Sequence, residues 1–289
     1  MKQLRGRVAV ITGAAGGIGR ETALTLADRG CNLALVDVKP DELEATATVA
    51  RGRGATVTTH VVDVSDGAAM AALADAVVAA HGKVEILVNN AGVTVTAGFH
   101  EHTMDDWEWV LGVNLWGVIH GMRVFLPHLL RADEAHIVNL SSIFGVIGVP
   151  GQSSYCVSKF AVRGLSESVQ EELVGTHVGL TVVHPGGVAT DIMRSSRSVD
   201  GAMKDRLVGF FERQAIPASE AARQIVGAIS RGQPRLRITR EAYAFDVMKR
   251  LMPTLGNRLA VRLLVKTMNI GDSFNKSRAR ALEAARSDP

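Results

Sequence analysis

Cysteine is scarce in this chain of 289 residues: Cys31 and Cys156 are the only two. Their separation fits neither a redox pair nor a zinc motif. A disulfide scaffold is therefore excluded, and a reducing, cytoplasmic setting is the simplest account. No uninterrupted apolar run reaches about 18 residues, so no transmembrane helix is expected. The opening segment, MKQLRGRVAVITGAAGG, passes directly into a strand and a glycine turn with no apolar signal core. No secretory leader is expected from it. The nine histidines are scattered. The closest pair, His100 and His102 in HEH, has no further ligand cluster near it, so no metal site is expected.

Charge is unevenly spread behind a net value of +3. From Arg231 to Pro289 there are 13 Lys or Arg against 5 Asp or Glu; before that, 19 stand against 24. A basic tail follows a mildly acidic body. Nucleic-acid binding would need basic residues interleaved with aromatics on a recognisable module, and aromatics make up only 4% of the chain. No nucleic-acid partner is expected. Apolar residues make up 47%, enough for one large core or a core with an appendage.

Short β-branched runs alternate with longer helical patterns. RVAVITG, NLALVD, TVTTHVVDV, VEILVNN, HIVNLSS, GLTVVHP and RLRIT read as strands. Amphipathic stretches such as DGAAMAALADAVVAAHG and SKFAVRGLSESVQEEL lie between them. Such alternation implies right-handed crossovers, and near-continuous apolar strands suit a sheet covered on both faces. The expected fold is α/β: a doubly wound, Rossmann-type, mostly parallel sheet with helices on both faces and an α-helical C-terminal extension. The main domain is placed at 1–240, including a loop at 191–218, and the basic extension at 241–289.

Two local patterns carry chemistry. The first strand runs into TGAAGGIG, whose Gly13, Gly17 and Gly19 follow G-x-x-x-G-x-G. Glycines allow close backbone approach, and the helix that follows offers unpaired N–H groups to a pyrophosphate. The second strand ends at Asp37, where a carboxylate can accept hydrogen bonds from an adenosine ribose and repel a 2′-phosphate. Neither Gly16 nor Val38 is a cation that would rescue phosphate binding; Lys39 is the nearest. The second pattern is SSIFGVIGVPGQSSYCVSK, in which Tyr155 and Lys159 are i,i+4 neighbours on an expected helix. A free phenol titrates near pH ~10, and a fixed positive charge brings it towards the range of a general base.

Taken in order, these segments resemble the classical short-chain dehydrogenase/reductase family from about Arg5 to Thr190. Six signals carry the resemblance: TGAAGGIG; Asp63–Val64; NNAG at Asn89–Gly92; Asn114 in VNLWG; Ser142 with Tyr155 and Lys159; and PGGVAT at Pro185–Thr190. The resemblance implies hydride transfer between a nicotinamide and a secondary alcohol or ketone, by a homodimer or homotetramer. It makes Asn114, Ser142, Tyr155 and Lys159 the catalytic set. Tyr155 would move the substrate proton, Lys159 would lower its pKa and bind the ribose, Ser142 would hold the substrate oxygen, and Asn114 would anchor a relay water. Around NAD it implies Gly13, Gly17, Ile18, Gly19, Asp37, Asp63, Val64, Asn90, Ala91, Gly92, Pro185, Gly186, Val188 and Thr190, together with Tyr155 and Lys159. Asn89 would brace the sheet beside them. An NADP-linked carbonyl reductase and a non-catalytic dinucleotide-binding regulator are the alternatives.

Between Ser142 and Tyr155 lie Ile143, Phe144, Val146, Ile147 and Val149, and after Thr190 come Met193, Met203, Leu207, Phe210 and Phe211. In the family these segments cover the substrate. Their apolar character favours a lipophilic steroid-, terpenoid- or acyl-like substrate, against the plainer reading that they pack on the domain. Arg194 and Arg197 are candidate anion clamps. Beyond RLRIT, Ala244, Val247, Met248 and Leu251 form one apolar stripe. Val261, Leu264, Val265 and Met268 form a second, flanked by Arg258, Arg262 and Lys266. Two amphipathic helices are expected, as a cover on the substrate mouth or a neighbouring subunit, as a peripheral membrane contact, or as a solvated appendage.

Overall fold

The computed structural model describes residues 1, 3–199, 201–268 and 271–287, without the side chains of 202–203, 210–214, 273–274, 277 and 283–287. Seven parallel strands form one sheet: β1 Val8–Thr12, β2 Asn32–Asp37, β3 Val57–Val61, β4 Ile86–Asn89, β5 Ala135–Leu140, β6 Val178–Pro185 and β7 Arg235–Ile238. Their order across the sheet is β7-β6-β5-β4-β1-β2-β3. All seven expected strands are present, and the Rossmann-type architecture is confirmed.

The helices are α1 Gly17–Asp28, α2 Pro40–Gly52, α3 Gly67–His81, α4 Met104–Leu111, α5 Gly117–Leu129, α6 Ser153–Glu172, α7 Gly201–Gln214, α8 Ala218–Arg231, α9 Arg240–Leu251, α10 Leu255–Met268 and α11 Gly271–Ser287. Strand side chains alternate between two cores, as a period of two requires. Ala9, Ile11, Leu33, Leu35, Ile86 and Val88 point into one, closed by α1 and α8. Val10, Ala34, Val36, Leu87 and Ile137 point into the other, closed by α3 and α5. A sheet buried on both faces needs apolar residues at every position, which is why VAVIT reads as an unbroken run.

The topology places the site. Ala9 of β1 pairs with Leu33 of β2 on one side and with Ile86 of β4 on the other. From β1 the chain winds outward in both directions, so the crevice beyond the C-terminal ends of β1 and β4 is the switch point where open α/β sheets bind ligands.

One continuous helical run, Met104–Leu129, is long and apolar enough to cross a membrane by length and composition. Its Val118, Met122, Phe125 and Leu129 are part of the second core, so it serves here as a core helix.

A third core joins the tail to the segment that follows β5. Ile143, Val146, Ile147 and Val149 pack with Ala242, Phe245, Ala260, Leu264 and Met268. The expected second stripe is present: Leu264 and Met268 are buried, Val261 and Val265 are partly buried, and Arg258, Arg262 and Lys266 are exposed. The first stripe is corrected. Ala244, Val247 and Leu251 are exposed, and Ala242, Phe245 and Asp246 are buried in their place. The sequence pattern missed a buried carboxylate: Asp246 accepts hydrogen bonds from Arg235 at 2.7 Å and Arg237 at 2.9 Å on β7, and this turns α9. A third tail helix, α11, was also missed; its Arg280 pairs with Glu101 at 2.6 Å.

Candidate active site

The glycine turn is held by contacts that leave no room for side chains. Gly13 closes β1 at φ +67°, and a Cβ there would stand 2.8 Å from the Asn90 amide nitrogen. A Cβ on Gly19 would stand 2.1 Å from the Gly13 carbonyl oxygen, so α1 can start this close to the turn only with glycine there. Asn90 Nδ2 donates to the carbonyls of Thr12 and Gly13 at 3.0 and 3.1 Å. The Thr12 hydroxyl accepts from the backbone N–H groups of Asn90 and Ala91 at 3.0 and 3.1 Å. At the start of α1, Gly16 makes no side-chain cap and the first turn carries no acid, a surface suited to an anion.

Asp37 closes the next edge. Its Oδ2 accepts from the Ala15 N–H at 3.0 Å, and its Oδ1 accepts from the Val38 and Lys39 N–H groups at 2.8 and 3.2 Å. The carboxylate is thereby fixed between the glycine turn and the end of β2. Asp63 accepts from the Ser65 backbone and hydroxyl at 2.9 and 2.8 Å, and buried Val64 fits against Gly117. Thr190 lies beside Gly17, where a Cβ would meet its methyl group at 3.0 Å. The Gly186 N–H donates to the Ile238 carbonyl at 3.0 Å, which sets the turn after Pro185, and Val188 is buried below it.

The four residues expected to handle a proton converge from three elements. Ser142 follows β5, Tyr155 and Lys159 share α6, and Asn114 sits in a π-helical insertion, Gly112–Trp116, between α4 and α5. That insertion turns Asn114 inward. It accepts from the Val93 N–H at 2.8 Å and donates to the Val93 carbonyl at 2.9 Å and the Ser158 hydroxyl at 3.0 Å. Gly92 lies between Asn114 and Lys159: a Cβ on it would stand 3.4 Å from the Asn114 side-chain oxygen and 3.6 Å from the Lys159 nitrogen. The Lys159 ammonium donates to the Leu140 carbonyl at 2.9 Å and lies 5.5 Å from the Tyr155 ring centroid.

In the chain by itself the electrostatics run against the expected lowering of the phenol's pKa by Lys159, to which the ring of an oxidised cofactor was expected to add. Burial pushes Tyr155 up to about 12, and the hydrogen bond from Ser142 only partly offsets this. Burial also brings Lys159 down to about 8, because its ammonium loses water inside the domain. The proton is therefore held firmly on Tyr155 in the chain by itself.

In the apolar run after Ser142, Phe144 meets the Tyr155 ring edge-on, at 6.1 Å between centroids. Ile143, Val146, Ile147 and Val149 face the third core, with Leu207 and partly buried Met193. The side chains of Met203, Phe210 and Phe211 lie outside the described residues. Arg197 is engaged elsewhere: its guanidinium stacks on Trp109 at 3.9 Å and pairs with Asp106 at 3.2 Å. His102 bridges Gly98 and Ser154, and among the described residues no group of three or more His, Cys, Asp or Glu could hold a metal ion.

Sequence reasoning missed His184 and Gln152. His184 is fully buried, its Nδ1 lies 3.1 Å from the Ser142 carbonyl, and burial brings it down to about 4. Its position directly before Pro185 was the available signal. Gln152 accepts from Thr94 at 2.7 Å and donates to Thr96 at 2.9 Å, tying the segment before Tyr155 to the strand end after Gly92. A cavity of about 640 Å³ lined by Arg7, Lys83, Glu85 and Asp133 lies at the opposite, N-terminal edge of the sheet, away from the switch point.

A family model for short chain dehydrogenase matches residues 7–200. The chain is a short-chain dehydrogenase/reductase. As a member of that oxidoreductase family it is similar to a Mycobacterium tuberculosis protein named as the oxidoreductase SadH, at 42% identity over 270 residues, covering 92% of this chain and 98% of the relative. Among solved structures it resembles a short-chain dehydrogenase/reductase from Burkholderia phymatum in complex with NAD. That likeness has a TM-score of 0.83 and 35% identity, over 88% of this chain and 96% of the other. A short-chain dehydrogenase from Mycobacterium paratuberculosis bound to NAD matches at TM-score 0.73 and 25% identity, over 82% and 97%.

Proposed function

We propose that this short-chain dehydrogenase/reductase is an NAD-linked alcohol dehydrogenase or ketone reductase for a lipophilic secondary alcohol or ketone. The observation that carries the reading is the convergence of Ser142, Tyr155, Lys159 and Asn114 beside the glycine turn. Such a set has a use only where a proton must move. The residues fit a nicotinamide dinucleotide: the cradle at Gly13, Gly17, Ile18 and Gly19 is open and acid-free, and Asp37 stands fixed beside it. Asp63 and Val64 would edge the adenine; Asn90, Ala91 and Gly92 would line the crevice floor; Pro185, Gly186, Val188 and Thr190 would face the nicotinamide. When bound, that cofactor accepts or supplies a hydride, and its oxidised ring adds positive charge near the phenol.

In the direction of oxidation, the Tyr155 oxygen takes the substrate hydroxyl proton; in reduction it returns one. Ser142 holds the substrate oxygen, with its backbone steadied by His184. Lys159 holds positive charge beneath the phenol, and Asn114, packed against Gly92 and Lys159, positions a water that carries the proton on. Phe144 gives the mouth an apolar wall next to the reacting oxygen. The partners we propose are the lipophilic substrate, further copies of this chain in a homodimer or homotetramer, and a lipid surface met by the basic tail, with no nucleic acid. Cys31 and Cys156 are both buried and unpaired, which supports a cytoplasmic setting.

The test is turnover of a panel of hydrophobic secondary alcohols with NAD⁺, followed by NADH absorbance. Tyr155→Phe should bind NADH unchanged and lose at least about 10²-fold in kcat; near-normal kcat would refute the mechanism. A second reading, NADP-linked reduction, draws on Arg20, whose buried Nε has no hydrogen-bond partner among the described residues. Tighter binding of NADPH than NADH would favour it.

A further inference from the structure

The outer face of α10 is unusual for a helix on a water-soluble surface. Leu255, Leu259 and Leu263, at four-residue spacing, are 53%, 41% and 54% exposed. Val247 and Leu251 on the preceding helix α9 are also exposed, at 46% and 76%. The cations Arg258, Arg262 and Lys266 repeat at the same spacing on the same outward half of α10, each one position from the leucine stripe or three beyond it, and all are exposed. α10 carries no Asp or Glu at all. The half of the helix turned away from the protein thus offers the guanidinium groups of Arg258 and Arg262 along one edge and the leucines along the other, with the Lys266 ammonium among the leucines.

Beside this face runs a groove of about 540 Å³ between α10 and the segment that precedes Tyr155. Val149, Pro150, Cys156, Val157 and Val261 make its walls apolar, and Arg258 and Arg262 stand at its rim. The opposite face of α10 is fully committed: Ala260, Leu264 and Met268 are buried against Val146, Ile147 and Phe245. The helix is therefore held rigidly, and its outer face is presented by a folded platform.

We propose that this face docks the protein on an anionic lipid bilayer. Phosphates of the headgroups meet Arg258, Arg262 and Lys266, the leucines enter the acyl boundary, and the groove accepts one lipid chain. Charge selects this occupant. A second copy would bring three like cations against three, whereas an anionic bilayer matches every cation with a phosphate while also burying the leucines. The proposal gives residues and a lipid class to the lipid contact named among the partners above, and does not rest on the assignment of alcohol oxidation, since the docking face uses none of the residues assigned to cofactor or proton.

The experiment is co-sedimentation of the full chain with vesicles of phosphatidylglycerol and phosphatidylcholine, and with phosphatidylcholine alone. Binding should require phosphatidylglycerol and weaken steeply between low and high salt. Arg258→Gln with Arg262→Gln, and separately Leu259→Gln with Leu263→Gln, should each reduce binding at least tenfold. These four side chains are exposed or at a groove rim, so circular dichroism should be unchanged. Turnover of a short, water-soluble alcohol, measured on the same samples, should stay at the wild-type level. That readout keeps a failure of docking distinct from a failure of the enzyme reading. Absence of binding to phosphatidylglycerol vesicles would overturn the proposal. So would binding that survives both double substitutions. If the leucine pair instead converts a dimer to a monomer in sedimentation and vesicles do not bind, the face belongs to a second copy and the proposal fails.

Discussion

Replacing Phe245 by alanine would test whether the tail helps to build the active site. Phe245 is 4% exposed on α9 and packs in the third core with Ile143, Val146, Ile147 and Val149, the residues that immediately follow catalytic candidate Ser142. Its neighbour Asp246, held by Arg235 and Arg237, prevents α9 from sliding inward to fill a cavity. Collapse being restricted, the loss should lie in the ordinary range for an aromatic removed from a core, about 3–5 kcal/mol. At roughly 2–4 °C per kcal/mol for a chain of this size class, the melting temperature should fall by roughly 6–20 °C. The glycine turn lies on the first core through Ala14 and Ala15, and Asp37 is held by Ala15, so the NADH dissociation constant should stay within about twofold. Turnover should fall by about tenfold, which needs only ~1.4 kcal/mol of the loss to reach the loop at Ser142. Thermal unfolding, NADH fluorescence titration and steady-state kinetics separate the three quantities, and Phe245→Leu should restore most of the first and third. An unchanged melting temperature would show that the tail does not share this core. Loss of NADH affinity in step with turnover would refute the division of labour between the cores.

Gly19→Ala should weaken NADH binding at least about 30-fold, roughly 2 kcal/mol, because its Cβ would stand 2.1 Å from a Gly13 carbonyl already fixed by Asn90; isothermal titration checks it, and unaltered affinity would deny the cradle its role. Asp37→Ala combined with Val38→Arg should shift the ratio of kcat/KM for NAD(H) over NADP(H) by at least about tenfold, roughly 1.4 kcal/mol, and a wild-type preference for NADPH would overturn the premise. His136 and His184 are both fully buried or nearly so and are brought down to about 4 by loss of water. The unfolded chain therefore binds protons at pH values where the folded chain does not. Stability is whole above pH ~6.5 and declines as pH falls towards about 4, by up to about 3 kcal/mol for each residue. Urea unfolding at pH 7 and pH 5 should show the decline, and His136→Gln should reduce it.

The strands were legible because a sheet covered on both faces demands unbroken apolar runs, and VAVIT and NLALVD leave no other reading. Gly13, Asn90, Asn114 and Tyr155 were legible because each occurs in an ordered motif. The stripe on α9 was not, because a period of 3.6 finds apolar faces and cannot foresee a buried aspartate. Asp246 takes an inward position only because Arg235 and Arg237 come from β7, a contact without local trace in sequence. The apolar run after Ser142 left two readings open for a related reason. Its hydrophobicity announces burial, but whether substrate or α10 does the burying depends on a helix more than a hundred residues later. His184 was overlooked because its partner is a backbone carbonyl, which every residue has.

The raised pKa of Tyr155 leads to a last prediction, on how cofactor binding readies the site. A phenol at about 12 is a poor base near neutral pH, so something must favour its ionised form before an alcohol can be oxidised. Lys159 stands 5.5 Å from the ring centroid and is itself brought down to about 8, so its charge is present at neutral pH and fades above that value. One further positive charge about 5 Å away, at an effective dielectric near 20, is worth about 3 kcal/mol, or roughly two pKa units. NAD⁺ carries such a charge on its ring and NADH does not. Saturating NAD⁺ should therefore draw the Tyr155 titration from about 12 towards about 10, while NADH should leave it close to its starting value. Tyrosinate absorbance measures this directly because the chain has only two tyrosines, and Tyr155→Phe subtracts the contribution of Tyr243. Lys159→Met should leave the NAD⁺-bound value near 10, because the Lys159 ammonium has already lost its charge above about 8. Equal titrations with NAD⁺ and NADH would mean that ring charge does not reach the phenol, and the proton would then have to leave the substrate by a route that bypasses Tyr155.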